Sequence, residues 1–234
     1  MSKPSARAFS IAAMALIYRR LSQNEAITLY KDSGMEVASH GLTHLCLGWL
    51  PSPTCAYEIL QDRANLENDY NCMIRGFAYP YDNRNNDVVT ALKESGFLYA
   101  RTAGSTLGFD LPTDWYHWAG TCHHNHPQLR ELVQAFLAKQ ISGFPELFYL
   151  WGHSYEFEDD NNWHVIEDFA QEIGSQPDIW YATNIEICEY VTAFRQLVFS
   201  INGKSVYNPT CKELFFQNGR QVVCVHPGET ICLV

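Results

Sequence analysis

The sequence predicts an α/β protein of parallel strands covered by helices, with a small antiparallel β appendage at its C-terminus. Three observations carry this. From about residue 22 to 196, short apolar runs alternate with segments of helical period, which implies parallel strands. Histidines fall just after two of those runs, at the strand ends where such folds place their chemistry. Beyond residue 198 the pattern changes to runs rich in Val, Phe, Ile and Tyr, split by Asn202-Gly203, Asn218-Gly219 and Pro227-Gly228, which is hairpin chemistry. The expected division is an α/β unit over 1–197 and a β appendage over 198–234.

Taken in order, Ser22-Gln23-Asn24-Glu25 fits a capping box and opens a helix that Gly34 stops. An apolar run ending at Ser39 is the next expected strand, and His40 and His44 follow it. Residues 54–70 carry Tyr57, Leu60, Ala64 and Tyr70 among polar positions, a helix with those residues as its expected buried stripe. Ile74 to Tyr79 is a strand ended by Pro80-Tyr81-Asp82-Asn83; Val88 to Glu94 is a helix closed by Gly96; Phe97 to Ala100 is a strand. Residues 102–126 read as one long loop, and a loop of that length in a compact domain is usually functional. Helix 127–140, strand 147–151, helix 160–173, strand 179–182 and helix 184–196 complete the series.

The 234 residues, 47% hydrophobic and 14% aromatic, suffice for one sizeable core. A net charge of -10 argues against nucleic acid or an anionic membrane as the main partner, since both attract basic surfaces. Residues 9–18 are apolar but too short to span a bilayer, which takes about 20 residues, and Arg19-Arg20 follows without a cleavage signal. A cytoplasmic protein without a membrane anchor is expected. The eight cysteines form no CxxC pair, so reduced core cysteines are the simplest reading, with disulfides left open by the even count.

His40 and His44, four residues apart with Gly41 between, suit a metal in either a helical turn or a tight loop, because both place the rings on one side. Two polar loop histidines would share that spacing. His123, His124 and His126 are either a metal set or polar surface. Asp110 and Asp114 read as turn caps, and Glu156, Glu158, Asp159 and Asp160 as a solvated helix start. Trp115, Trp118 and Trp151 are core or groove walls.

Together these stretches resemble the polysaccharide deacetylases of the NodB-homology type, metal-dependent carbohydrate esterases on an incomplete (β/α) barrel. Ser39-His40-Gly41-Leu42-Thr43-His44 resembles the family's metal-binding HxxxH. Phe77-Ala78-Tyr79-Pro80-Tyr81 resembles its groove-lining loop, with Ala78 where an arginine is usual. Leu150-Trp151-Gly152-His153 resembles the late motif whose histidine protonates the leaving amine. Tyr99-Ala100-Arg101-Thr102, Thr121-Cys122-His123-His124-Asn125 and Trp180-Tyr181-Ala182-Thr183-Asn184 look like one bacterial subgroup.

The resemblance implies His40 and His44 as ligands of a divalent metal, most simply zinc, and His153 as catalytic acid. It also implies Tyr81 and Trp151 as substrate-binding residues, with the Tyr81 backbone N–H facing the oxyanion, and an N-acetylated carbohydrate as substrate. The family opens with a strand ending in Asp-Asp, the general base and third ligand. Residues 1–19 contain no acidic residue, so the expectation is a chain lacking its first strand, truncated or degenerate, with weak or absent deacetylation. A dead carbohydrate-binding derivative is the alternative, and a hydrolase drawing its missing ligand from residues 117–126 is a third reading.

Overall fold

The computed structural model describes residues 7–14, 21–31, 33–139 and 145–233, with the backbone alone for 7–14. Strand β1 (Arg7–Met14) comes first, so the expectation of a missing first strand is corrected. Its alternating Ala, Phe and Ile pair in parallel on both sides, and its register sets Ala13 opposite Gly152 and Met14 opposite His153. Of the apolar run at 9–18, residues 15–18 lie outside the described residues, as does the last residue of the expected helix 127–140.

Helix α1 (Gln23–Tyr30) starts at the Ser22–Glu25 capping box, and Gly34, at φ 75°, takes the left-handed turn that ends the segment. The strand expected up to Ser39 is reduced to one bridge, Ser39 to Phe77. Helix α2 (Ser52–Tyr70) follows, and its buried face differs from the expected one. Tyr57 and Leu60 are exposed; Cys55, Glu58 and Ile59 are buried. The helix is rotated because carboxylates at 58 and 62 brace the loop of His40, which apolar periodicity does not register.

Strand β2 (Gly76–Ala78), helix α3 (Asn86–Glu94) and strand β3 (Tyr99–Ser105) come next. The long loop expected over 102–126 contains two short strands, β4 (Trp118–Gly120) and β5 (Cys122–His123). After helix α4 (Leu129–Ala138) and strand β6 (Glu146–His153), a short helix not expected from the sequence, α5 (Ser154–Asp159), precedes α6 (His164–Ile173), which is the helix expected at 160–173. Strand β7 (Ile179–Tyr181) and helix α7 (Asn184–Phe194), with its own capping box at Thr183, end the α/β series.

The strands form two parallel ladders, β2-β3-β4 and β5-β6-β1-β7. Thr121 joins them: its N–H donates to Tyr149 O at 2.7 Å, and its hydroxyl accepts the Tyr149 N–H at 3.0 Å. The result is the incomplete (β/α) barrel expected. Side chains of β6 alternate between two cores, as a strand covered on both faces requires. Phe148 and Leu150 pack toward α4 and α6, whereas Leu147 and Tyr149 pack inward on Trp118, Tyr99 and α7.

After α7 come β8 (Val198–Phe199), β9 (Ser205–Tyr207), β10 (Leu214–Asn218), β11 (Gln221–Val225) and β12 (Thr230–Cys232). They make a three-stranded antiparallel sheet, β12-β9-β8, and the hairpin β10–β11. Among the described residues no helix is long and apolar enough to cross a membrane.

Candidate functional site

Parallel strands bring their C-terminal ends to one mouth, and the HxxxH loop is built there by α2. Asp62 accepts the Ser39 hydroxyl at 2.6 Å and the His40 N–H at 3.0 Å. One turn earlier, buried Glu58 accepts the Thr43 N–H and hydroxyl, both at 2.8 Å. Two carboxylates on one helix face thus clamp the chain on both sides of Gly41, whose φ of 80° makes the bend.

The clamp places the His40 and His44 rings edge to face, with centroids 4.5 Å apart. His40 Nδ1 lies 2.7 Å from Ala78 O, so the proton sits on Nδ1 and the Nε2 lone pair is left available. That Nε2 is buried and has no hydrogen-bond partner among the described residues. Burial, more than the charges of His44, Arg101 and His153, pushes the His40 pKa down to about 4 against the support of the Ala78 carbonyl. Burial and His153 lower that of His44 also. Both rings are therefore neutral at pH 7, the state a metal requires. These residues fit an ion, as two ligands of the usual three. The Tyr81 ring, exposed and with its residue at φ 53°, meets His44 at 4.5 Å.

On the far wall, the inward period-2 face of β6 continues from Tyr149 to Trp151 and His153. The guanidinium of buried Arg101, opposite Ala78 in the β2–β3 register, lies over the Trp151 ring at 5.2 Å. The His123 ring of β5 meets that indole edge to face, with centroids 4.5 Å apart. His153 interacts electrostatically with His40, His44 and His123, so imidazoles from three separate loops share the mouth.

Glu156, expected to be solvated, faces this cluster instead. Its Oε2 accepts the His153 N–H at 3.1 Å, and it stands 3.1 Å from His123 Nε2, 3.4 Å from His124 Nε2 and 3.2 Å from His153 Nδ1. The last two contacts lie off the hydrogen-bond direction. Burial raises the Glu156 pKa, but the His153 N–H and the His123 and His153 rings outweigh it and hold the carboxyl low. Ligand atoms of His123, His153 and Glu156 all lie within 4.8 Å of one another, a second set that could hold an ion. His123 is a poor member of it. Its Nδ1 accepts the Asn125 N–H at 3.2 Å, so the neutral ring carries its proton on Nε2, toward Glu156.

Sequence reasoning did not assign Glu156, Arg101, Glu58 or Asp62 to the site. Two signals were present: Arg101 lies two residues past inward Tyr99, and Glu156 lies at the N3 position of the helix that begins after His153. Asp114 does cap a loop, accepting the Tyr116 N–H at 2.9 Å, whereas Asp110 is exposed.

Fold and mouth together define a histidine-lined, incomplete (β/α) barrel. Residues 6–100 match the family model for polysaccharide deacetylase. That match covers under half of the chain, so over this stretch the chain is similar to the family. No curated protein sequence matches it. A putative polysaccharide deacetylase from Mycobacterium smegmatis is similar in fold at 18% identity and TM-score 0.53, covering 74% of this chain and 68% of that one. A probable polysaccharide deacetylase from Pseudomonas aeruginosa PAO1 aligns at 12% identity and TM-score 0.52, over 79% and 90%. A 4-alpha-glucanotransferase from Thermococcus litoralis aligns at 16% and 0.50, over 71% of this chain, which spans only 30% of that protein's length. These likenesses establish a shared fold, and a fold does not fix a reaction.

Proposed function

We propose that the chain is a metal-dependent, deacetylase-like hydrolase acting on N-acetyl groups of a carbohydrate, weakened or inactive for want of an acidic residue at the end of β1. The observation that carries the reading is His40: a ring locked by Ala78, with a buried, unpartnered Nε2 beside the His44 ring. Here His40 and His44 hold the ion, with zinc as the simplest fit to two imidazoles. When bound, such an ion polarises a carbonyl oxygen and lowers the pKa of water toward about 7.

The chain's own residues do the rest. Trp151 and Tyr81 are the walls against which a sugar ring stacks. The Tyr81 N–H faces the oxyanion, and His153 gives a proton to the departing amine, a role typically contributing about 10²–10⁴-fold. No carboxylate in residues 1–19 is available to take the proton of the attacking water. This is why slow turnover is expected, and it favours a second reading, a dead carbohydrate-binding derivative. The division into a 1–197 unit and a 198–234 appendage belongs to the same proposal. So does a cytoplasmic setting, supported by eight cysteines that form no disulfide among the described residues.

Zinc uptake and acetate release from N-acetylglucosamine oligomers test the proposal. His40→Ala with His44→Ala should lose one equivalent of bound zinc while His123→Ala loses none; the reverse result moves that ion to the His123, His153 and Glu156 set. Acetate release should be slow and lost in His153→Ala. Oligomer binding without any release, unchanged in His153→Ala, would establish the binding protein. Release at rates usual for an intact enzyme would overturn the weakened-site reading.

A further inference from the structure

A second cluster lies on the β appendage, outside the barrel mouth. In the β10–β11 hairpin, Leu214 pairs with Val225 and Phe215 with Cys224. One step further along the same register sets Glu213 opposite His226. Side chains alternate between faces, so Leu214 and Val225, both fully buried, point into the molecule, and Cys224 and His226 share the other face with Glu213. One ligand-bearing atom from each of Glu213, Cys224 and His226 lies within 4.8 Å of the other two. His226 Nδ1 is 3.1 Å from Glu213 Oε1.

We propose that Glu213, Cys224 and His226 form a binding site for a thiophilic divalent metal ion such as Zn(II). The donor set suits it: a thiolate, an imidazole and a carboxylate, whose two negative charges offset those of the ion. Tetrahedral coordination at about 2.0–2.3 Å needs ligand atoms roughly 3.3–3.8 Å apart, so closing the site takes only small side-chain rotations.

The backbone is already fixed for it by a single buried residue. Asn208 donates from Nδ2 to Lys212 O at 2.8 Å and to Val225 O at 2.9 Å. It therefore holds the residue before Glu213 and the residue between Cys224 and His226. The His226 N–H is tied to Glu229 at 2.8 Å, and Lys212 to Glu189 of α7 at 2.9 Å. Binding replaces the Cys224 thiol proton, which leaves to solvent, and takes up the imidazole lone pair. Three protein ligands leave a fourth position for water.

Cobalt(II) titration of the full-length reduced chain tests this, because a cobalt thiolate bond gives a charge-transfer band that carboxylate and imidazole ligation alone do not. One equivalent of Co(II) should produce the band. It should persist in His40→Ala with His44→Ala, disappear in Cys224→Ser, and require at least tenfold more cobalt in His226→Ala and Glu213→Gln. Glu213 and His226 are exposed, so these two variants keep the fold, as metal-free circular dichroism would verify. Replacing exposed Cys72, Cys211 and Cys232 with Ser should leave the band unchanged. A band undiminished in Cys224→Ser, or none in the unaltered chain, overturns the site.

Discussion

Glu156 Oε2 accepts the backbone N–H of His153 at 3.1 Å, while its Oε1 stands 3.2 Å from that residue's own Nδ1. One carboxylate thus fixes the main chain where β6 becomes α5 and sets its charge beside the ring that β6 delivers to the mouth. Glu156→Ala removes the acceptor and the charge together, and should destabilise the fold by about 1–3 kcal/mol in urea unfolding. Glu156→Gln, which keeps an acceptor for the N–H, should lose less than half of that. An unchanged midpoint in Glu156→Ala would show that the helix start needs no such anchor.

Gly152 is required by the ring of His124. A Cβ at position 152 would overlap His124 Nδ1 and Cε1, and His124 is buried against Phe157 with ring centroids 4.2 Å apart. Gly152→Ala should therefore cost about 1–3 kcal/mol through overpacking. Adding His124→Ala should recover part of the loss, a coupling that a double-mutant cycle measures directly.

Burial pushes both His40 and His124 down to about pKa 4, reinforced at His124 by the neighbouring His123 ring. A histidine whose folded pKa is depressed binds fewer protons folded than unfolded. Stability is therefore full above the unfolded value near 6.5 and declines as pH falls toward about 4. Between pH 7 and pH 5 each ring should account for about 1–2 kcal/mol of loss. Urea unfolding at the two pH values should show a smaller drop in His124→Asn than in the unaltered chain.

At the opposite end of the barrel, the Tyr99 hydroxyl donates to Glu36 Oε1 at 2.7 Å, and the Ile185 N–H donates to Oε2 at 2.9 Å. Burial raises the Glu36 pKa despite these bonds. Tyr99→Phe leaves a half-buried carboxylate oxygen without its donor. It should lower stability by about 1.5–3 kcal/mol, read from chemical denaturation.

Local features of the sequence determined a good deal alone. Capping boxes at Ser22 and Thr183 start helices where Ser, Thr and Glu spacing indicates, because a cap is satisfied within four residues. The alternation of strand and helix, the appendage hairpins and the spacing of His40 and His44 are equally local. Tertiary structure decided what depends on partners distant in the chain. Whether residues 7–14 form a strand depended on β6 and β7, some 140 to 170 residues on. Which face of α2 is buried depended on Glu58 and Asp62 reaching the His40 loop. Glu156 reads in sequence as one acid in a solvated run, and only the convergence of β5 and β6 surrounds it with three imidazoles. Burial and charge pairing are properties of neighbours in space, and spacing along the chain carries them only where those neighbours are also local.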